Sequence, residues 1–185
     1  MKETVMTGKD SELNFAEPHD TPVPYRERIT SYYLALGYDK PYQWAHFNDV
    51  PFTPLQKPLA ESRVALITTA APYQDGKGDQ GPGAPYNAAA KFYKVYSGDV
   101  SNDHDLRVSH IGIDRNHTTA EDMNTYFPLK QFRKLAESGR IGSMAPRFHG
   151  APTNRSQETT IDQDAAEILA RLREDKADAA VIVAN

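Results

Sequence analysis

The 185 residues are 39% hydrophobic and 25% charged, with a formal net charge of −4, which is the profile of a globular chain long enough for one real core. The acidic balance argues against a phosphate-neutralising face and so against a nucleic-acid partner, and with no cysteine the chain holds no disulfide, thiolate metal site or cysteine nucleophile. No apolar run approaches the ~20 residues that span a bilayer, and the polar N-terminus lacks a signal-peptide core, so a cytoplasmic protein without a membrane partner is expected.

Residues 1–24 are polar and end in Pro18, Pro22 and Pro24, which predicts a loose arm. Residues 25–36 place Tyr25, Ile29, Tyr32, Tyr33 and Leu36 on one helical stripe, and Gly37 follows as a terminator. Packing is the expected role of these tyrosines. Residues 38–58 combine Pro41, Pro51, Pro54 and Pro58 with Tyr42, Trp44, His46, Phe47 and Phe52. That proline density blocks a helix or a central strand, so an ordered extended segment is expected, laid on the body or on a neighbouring subunit. His46 reads as a loop hydrogen-bonder before it reads as a ligand.

RVALITT, residues 63–69, is a short β-branched run of the kind buried in a parallel sheet. It ends in small and polar groups, Thr69 and Tyr73 among them. Residues 74–85 hold four glycines and two prolines and read as a loop. No GxGxxG or GxxxxGK[ST] spacing is present, which excludes a dinucleotide fingerprint or a P-loop. Residues 91–96 are ambiguous between strand and helical turn, and 101–105 form a polar turn.

Residues 106–124, LRVSHIGIDRNHTTAEDMN, carry the chemistry. Val108, Ile111 and Ile113 predict a strand, with His110 inside it as a core or partner contact. Asp114, Arg115, Asn116 and His117 make a polar turn, and Thr118 or Thr119 offers a helix N-cap with Asp122 behind it. In an open α/β sheet such a turn lies at the carboxyl edge of the strands, where ligands bind.

Leu129, Phe132, Leu135 and Ala136 define the next helix, stopped by Gly139. A short strand and loop over 141–149 follows. Thr160 with Gln163 reads as a capping box for an amphipathic helix over 161–176. AAVIVAN, residues 179–185, is a final apolar strand, and Asn185 falls at the predicted ligand edge. The whole predicts an α/β fold, a three-layer sandwich with a mainly parallel sheet and an extended N-terminal arm. The expected division is 1–24 arm, 25–62 helix and extended segment, and 63–185 α/β domain. The helix over 161–176 would cross over into the last strand, so that the strand ends at 68–73, 114–117 and Asn185 converge.

His117 is the leading acid–base candidate, beside Asp114, with Asp122 as its partner; turn stabilisation and helix-end electrostatics are the competing roles. Arg115 suits a substrate carboxylate or a surface ion pair. Asn124, Thr69, Tyr73 and His149 complete the predicted substrate edge. His117, Asp114 and His149 lack the HxH or HExxH spacing of a metal centre, so no metal is assigned.

The segments from Pro24 through Tyr73, DRNHTTAEDMNTYFPLKQFRKLAESGRIGS, and DAAEILARLREDKADAAVIVAN together resemble the glycine/sarcosine/betaine reductase selenoprotein B family, which includes the D-proline reductase selenoprotein subunit. The most specific part is the H-x4-D-x-N-x2-FPL pattern that opens at His117. The resemblance implies an α/β fold and reductive cleavage of a carbon–nitrogen bond in a small amino acid or amine. Family members present a selenocysteine or cysteine after a strand like AAVIVAN, and this sequence has neither. The cofactor expected by resemblance is therefore such a group, or a pyruvoyl group, on another segment or a partner polypeptide, with Asn185 as a processing end and a homo-oligomer or partner chain in the assembly. Two other readings stay open: a non-catalytic assembly or substrate-presenting subunit, and a metal-dependent hydrolase.

Overall fold

The computed structural model of the chain describes residues 24–40, 43–82, 84–108, 119–152 and 156–184, in two compact units, 1–44 and 45–185. In the first unit the predicted helix forms as α1 (Tyr25–Ala35), and Gly37 leaves it with φ +84°. None of its residues is buried, so its tyrosines do not make the core the stripe suggests. Tyr33 and Tyr38 pack ring to ring at 5.2 Å, and Arg26 lies over the Trp44 ring at 5.9 Å.

The second unit is built on β1 (Arg63–Thr68), whose Val64 to Thr68 are all buried. Its β-branched run suits a strand covered on both faces. β5 (Ser143–Met144), β6 (Arg147–Gly150) and β7 (Ala179–Val183) pair with it in parallel. In a parallel strand alternate residues turn both backbone groups to the same side. Ser62, Val64 and Thr68 carbonyls accept from Ser143, Ala145 and Ala151, whereas Arg63 O accepts from Asp178 N and Thr69 N donates to Val183 O. β5 and β6 therefore follow one another along one side of β1, interrupted at Ala145 and Pro146, and β7 runs along the other. β3 (Tyr96–Asp99) adds antiparallel to β6, which decides the ambiguity over 91–96 in favour of a strand that begins only at Tyr96.

Even-numbered Val64 and Leu66 face a cluster with Phe148, Tyr126, Phe127 and α2 (Leu129–Glu137). Ile67 faces the opposite way, onto Val95 and Ile168 of α4 (Ala165–Glu174). Helices thus cover both faces of a mostly parallel sheet. Burial of each large side chain such as Leu66 or Phe148 contributes about 1.5–3 kcal/mol. Gly139, at φ +69°, ends the α2 segment in the left-handed region that glycine reaches without strain.

Three expectations change. The strand read over 106–113 is, in its described part, only β4 (Leu106–Arg107), and it pairs antiparallel with β2 (Ala71–Pro72) in a separate two-stranded ribbon. Its register with Pro72 takes it out of the parallel sheet. Thr118 lies outside the described residues; after Thr119 the expected helix gives way to a 3-10 turn over Met123–Thr125, with Asp122 as its cap. The last helical run begins earlier than its capping box. Ser156 caps α3 (Gln157–Thr159) by accepting from Thr159 N at 3.1 Å, and a π turn over Thr160–Asp164 joins α3 to α4.

Candidate functional site

Three parallel strands end together. Thr68 is in register with Gly150 of β6 and with Val183 of β7, so β1 and β7 end side by side; the other named parts of the predicted convergence, 114–117 and Asn185, lie outside the described residues. Asp114, Arg115, Asn116 and His117, with His110, Thr118 and Asn185, lie outside the described residues. Of the remaining predicted residues, Thr69 sits on this edge with its N–H bonded to Val183 O at 3.2 Å. Tyr73 is exposed, its N–H donates to Asp105 O at 3.0 Å, and the Arg107 guanidinium lies 5.4 Å from its ring centre.

Asp122 and Asn124 do come together. Asp122 Oδ1 accepts from Asn124 N at 2.9 Å and from Asn124 Nδ2 at 2.8 Å, an arrangement that caps the 3-10 turn and orients the amide. Both line a cavity of about 290 Å³ with Asp103, His104, Phe127 and Lys130. Arg133 donates to Asp103 at 2.9 Å, and this bond holds the Asp103 carboxyl below its usual range.

Sequence reasoning passed over His104. Its Nε2 lies 2.7 Å from Asp99 O, and since a carbonyl only accepts, Nε2 carries the proton. The ring packs edge-on against Phe148 at 4.8 Å and Phe127 at 6.4 Å, which fixes its plane. The only hint in the sequence is a histidine between Asp103 and Asp105 just ahead of an apolar run; periodicity gives none.

His149 lies elsewhere. It is in register with Ile67, so it faces α4, whereas its neighbour Phe148 faces α2 and packs behind His104 and Phe127. The ring is fully buried, with Nδ1 2.8 Å from Ser97 Oγ and Nε2 3.2 Å from Asp175 Oδ2 but off the hydrogen-bonding direction. Burial, above all, pushes the imidazole below its usual range, against the pull of Asp175. Arg171 Nη1 donates to Ser97 Oγ at 2.6 Å, which leaves the serine proton for His149 Nδ1 and places the histidine proton on Nε2. Arg147 pairs with Asp175 at 2.8 Å and with Glu174 at 3.0 Å. The order Ser–His–Asp invites comparison with a hydrolytic triad, but a buried imidazole and a serine oxygen already bonded to arginine leave no access for a carbonyl substrate. The cluster joins β3, β6 and the end of α4. Among the described residues no group of three or more His, Asp or Glu side chains is placed to hold a metal ion, and no helix is long and apolar enough to cross a membrane.

The family model for glycine/sarcosine/betaine reductase selenoprotein B matches residues 35–185. The chain belongs to this family. The selenoprotein B match runs through the cavity residues and the buried His149 cluster alike. A curated relative, the glycine reductase complex component B subunit gamma of Symbiobacterium thermophilum, is 26% identical over 153 residues, which cover 80% of this chain and 34% of that protein. The chain thus spans about a third of the length of the curated relative it matches. No solved structure matches it.

Proposed function

We propose that this chain is the substrate-holding part of a selenoprotein B-like reductase that cleaves the carbon–nitrogen bond of a small amino acid or amine. Family membership over 35–185 carries the reading. The cavity supports it: Asp103 and Asp122 suit an ammonium group, and Lys130 with Asn124 suits a carboxylate. Glycine, which appears in the relative's name, is a zwitterion small enough for a space of about 290 Å³. The sequence holds no cysteine or selenocysteine, so the redox group comes from another segment or a partner polypeptide, as a thiol, selenol or pyruvoyl group. When bound there, a thiolate or selenolate supplies the nucleophile toward carbon, and the amine leaves with the bonding pair and takes a proton.

This chain's own residues do the rest. His117, oriented by Asp114 and working with Asp122, delivers that proton to the departing nitrogen. Arg115 and Asn124 hold the carboxylate. Thr69 and Tyr73 border the edge where the nucleophile approaches. The setting is the cytoplasm, in an oligomer or with a partner chain. The test is amine release by the assembled reductase carrying His117→Ala or Asp122→Asn. Each loses roughly 100-fold or more in turnover, with the melting temperature held. Turnover kept by both variants, or lost only with the fold, overturns the reading.

A second reading, an assembly role, is favoured by residues 45–60. All are exposed, Phe47 at 61%, Val50 at 80% and Phe52 at 88%. Apolar side chains at that exposure in one segment mark a contact surface. Phe47→Ser with Phe52→Ser would then abolish assembly, while His117→Ala leaves turnover intact.

A further inference from the structure

β7 is the least protected strand of the sheet. It pairs with β1 alone among the described residues, which leave its far side unpaired. Val183 O is bonded to Thr69 N, and alternation along a parallel strand then points the N–H and C=O groups of Ala180 and Ile182 away from β1. Val183 packs against the core, but the middle of the strand is exposed on both faces. Val181, in register with Leu66 on the α2 face, is 42% exposed, and Ile182, in register with Ile67 on the α4 face, is 66% exposed. The strand, AAVIV, has no lysine, proline or bulge to discourage pairing. Its partner β1 is buried throughout from Val64 to Thr68, as parallel strands are when helices cover both faces.

We infer that the β7 edge is an assembly surface that receives a further strand, together with a helix over Ile182 or Val181, from the part of the selenoprotein B family that this chain does not match. Two features select this occupant. The curated relative is matched over only 34% of its length, so about two thirds of it is available to continue the sheet. A second copy of this chain is the poorer fit. Joined edge to edge, it would bring another β7 exposed at the same positions, and Val181 and Ile182 would stay in water. A strand that arrives with its crossover helix satisfies the edge and covers a face together.

The inference rests on the proposed function only in taking the rest of the family's architecture as the partner. It is tested by hydrogen exchange on residues 179–183 in the chain alone and in the assembled reductase. Amides of Ala180 and Ile182 exchange roughly tenfold more slowly, or better, in the assembly, and Ile182→Lys prevents assembly while circular dichroism of the isolated chain is unchanged. Unchanged exchange in an active assembly overturns the edge and leaves the catalytic reading standing. A stable homodimer with protected Ile182 amides also overturns it, in favour of a second copy. Protection in an assembly that releases no amine upholds the edge and removes the catalytic reading. Should Ile182→Lys unfold the chain, the exchange measurement on the unsubstituted protein decides alone.

Discussion

The hydroxyl of Thr68 lies 2.6 Å from the carbonyl oxygen of Tyr126, a buried bond that joins the end of β1 to the turn carrying Asp122 and Asn124. The same oxygen accepts from Ala70 N at 3.1 Å. Thr68→Val keeps the shape but strands both backbone groups in the core. Leaving a buried polar group unpaired costs about 1–3 kcal/mol, so urea unfolding should show a loss of that order. The cavity residues should shift with it in amide NMR spectra. A variant as stable as the parent would mean that Tyr126 O finds another donor.

His149 gives the fold a pH dependence whose sign follows from its burial. Its folded pKa is depressed, so below the ordinary histidine value of about 6.5 the unfolded chain binds the proton first. The stability conferred by neutral His149 is complete above that value and falls as pH drops toward the folded pKa. Urea unfolding at pH 7.5 and at pH 5.0 should show the loss. His149→Phe should flatten this part of the profile while costing stability at both pH values, because Ser97 and Asp175 lose a neighbour. Equal slopes in parent and variant would assign the pH dependence to other groups.

Ser156 is the cap of the last helical run, through its oxygen to Thr159 N at 3.1 Å. Thr160, the cap expected from sequence, instead donates its hydroxyl to Ser156 O. Ser156→Ala should cost about 1 kcal/mol, and Thr160→Ala clearly less. Thermal unfolding of the two variants separates them, and the reverse order would restore Thr160 as the start.

These pairs show what the chain reveals unaided. β1 was legible as an unbroken apolar run, because Val64 to Thr68 are covered on both faces, and α2 and the last helical run by the helical spacing of their apolar residues, as at Leu129 with Phe132. The family was legible in the ordered polar and apolar set after His117. The antiparallel ribbon of Leu106 and Arg107 was not, because an apolar run states that a strand exists and not which strand it joins. His104 was hidden for a related reason: its role comes from Asp99 O and Phe148, which only the fold brings to it. The open side of β7 was equally silent, since Val181 and Ile182 read as core in any sequence and are exposed only because nothing described lies beyond them.

Gly150 closes the β6 strand against the Tyr96 ring. A methyl group there would collide with Cε1 and Cζ of the Tyr96 ring. The ring cannot simply retreat, because its hydroxyl donates to Ala70 O at 2.5 Å and its other side meets Phe148 edge-on at 6.1 Å. Burial has also pushed the Tyr96 phenol above its usual range, so it stays neutral and keeps donating. Gly150→Ala should therefore destabilise by more than the 1–3 kcal/mol typical of overpacking. Tyr96→Ala alone should cost about 3–5 kcal/mol through its cavity. The double variant should be more stable than the sum of the two losses implies, since the new methyl enters the space the ring leaves. Chemical denaturation of the four proteins measures that coupling, and additive losses would show that Gly150 is required for its backbone and not for its closeness to Tyr96.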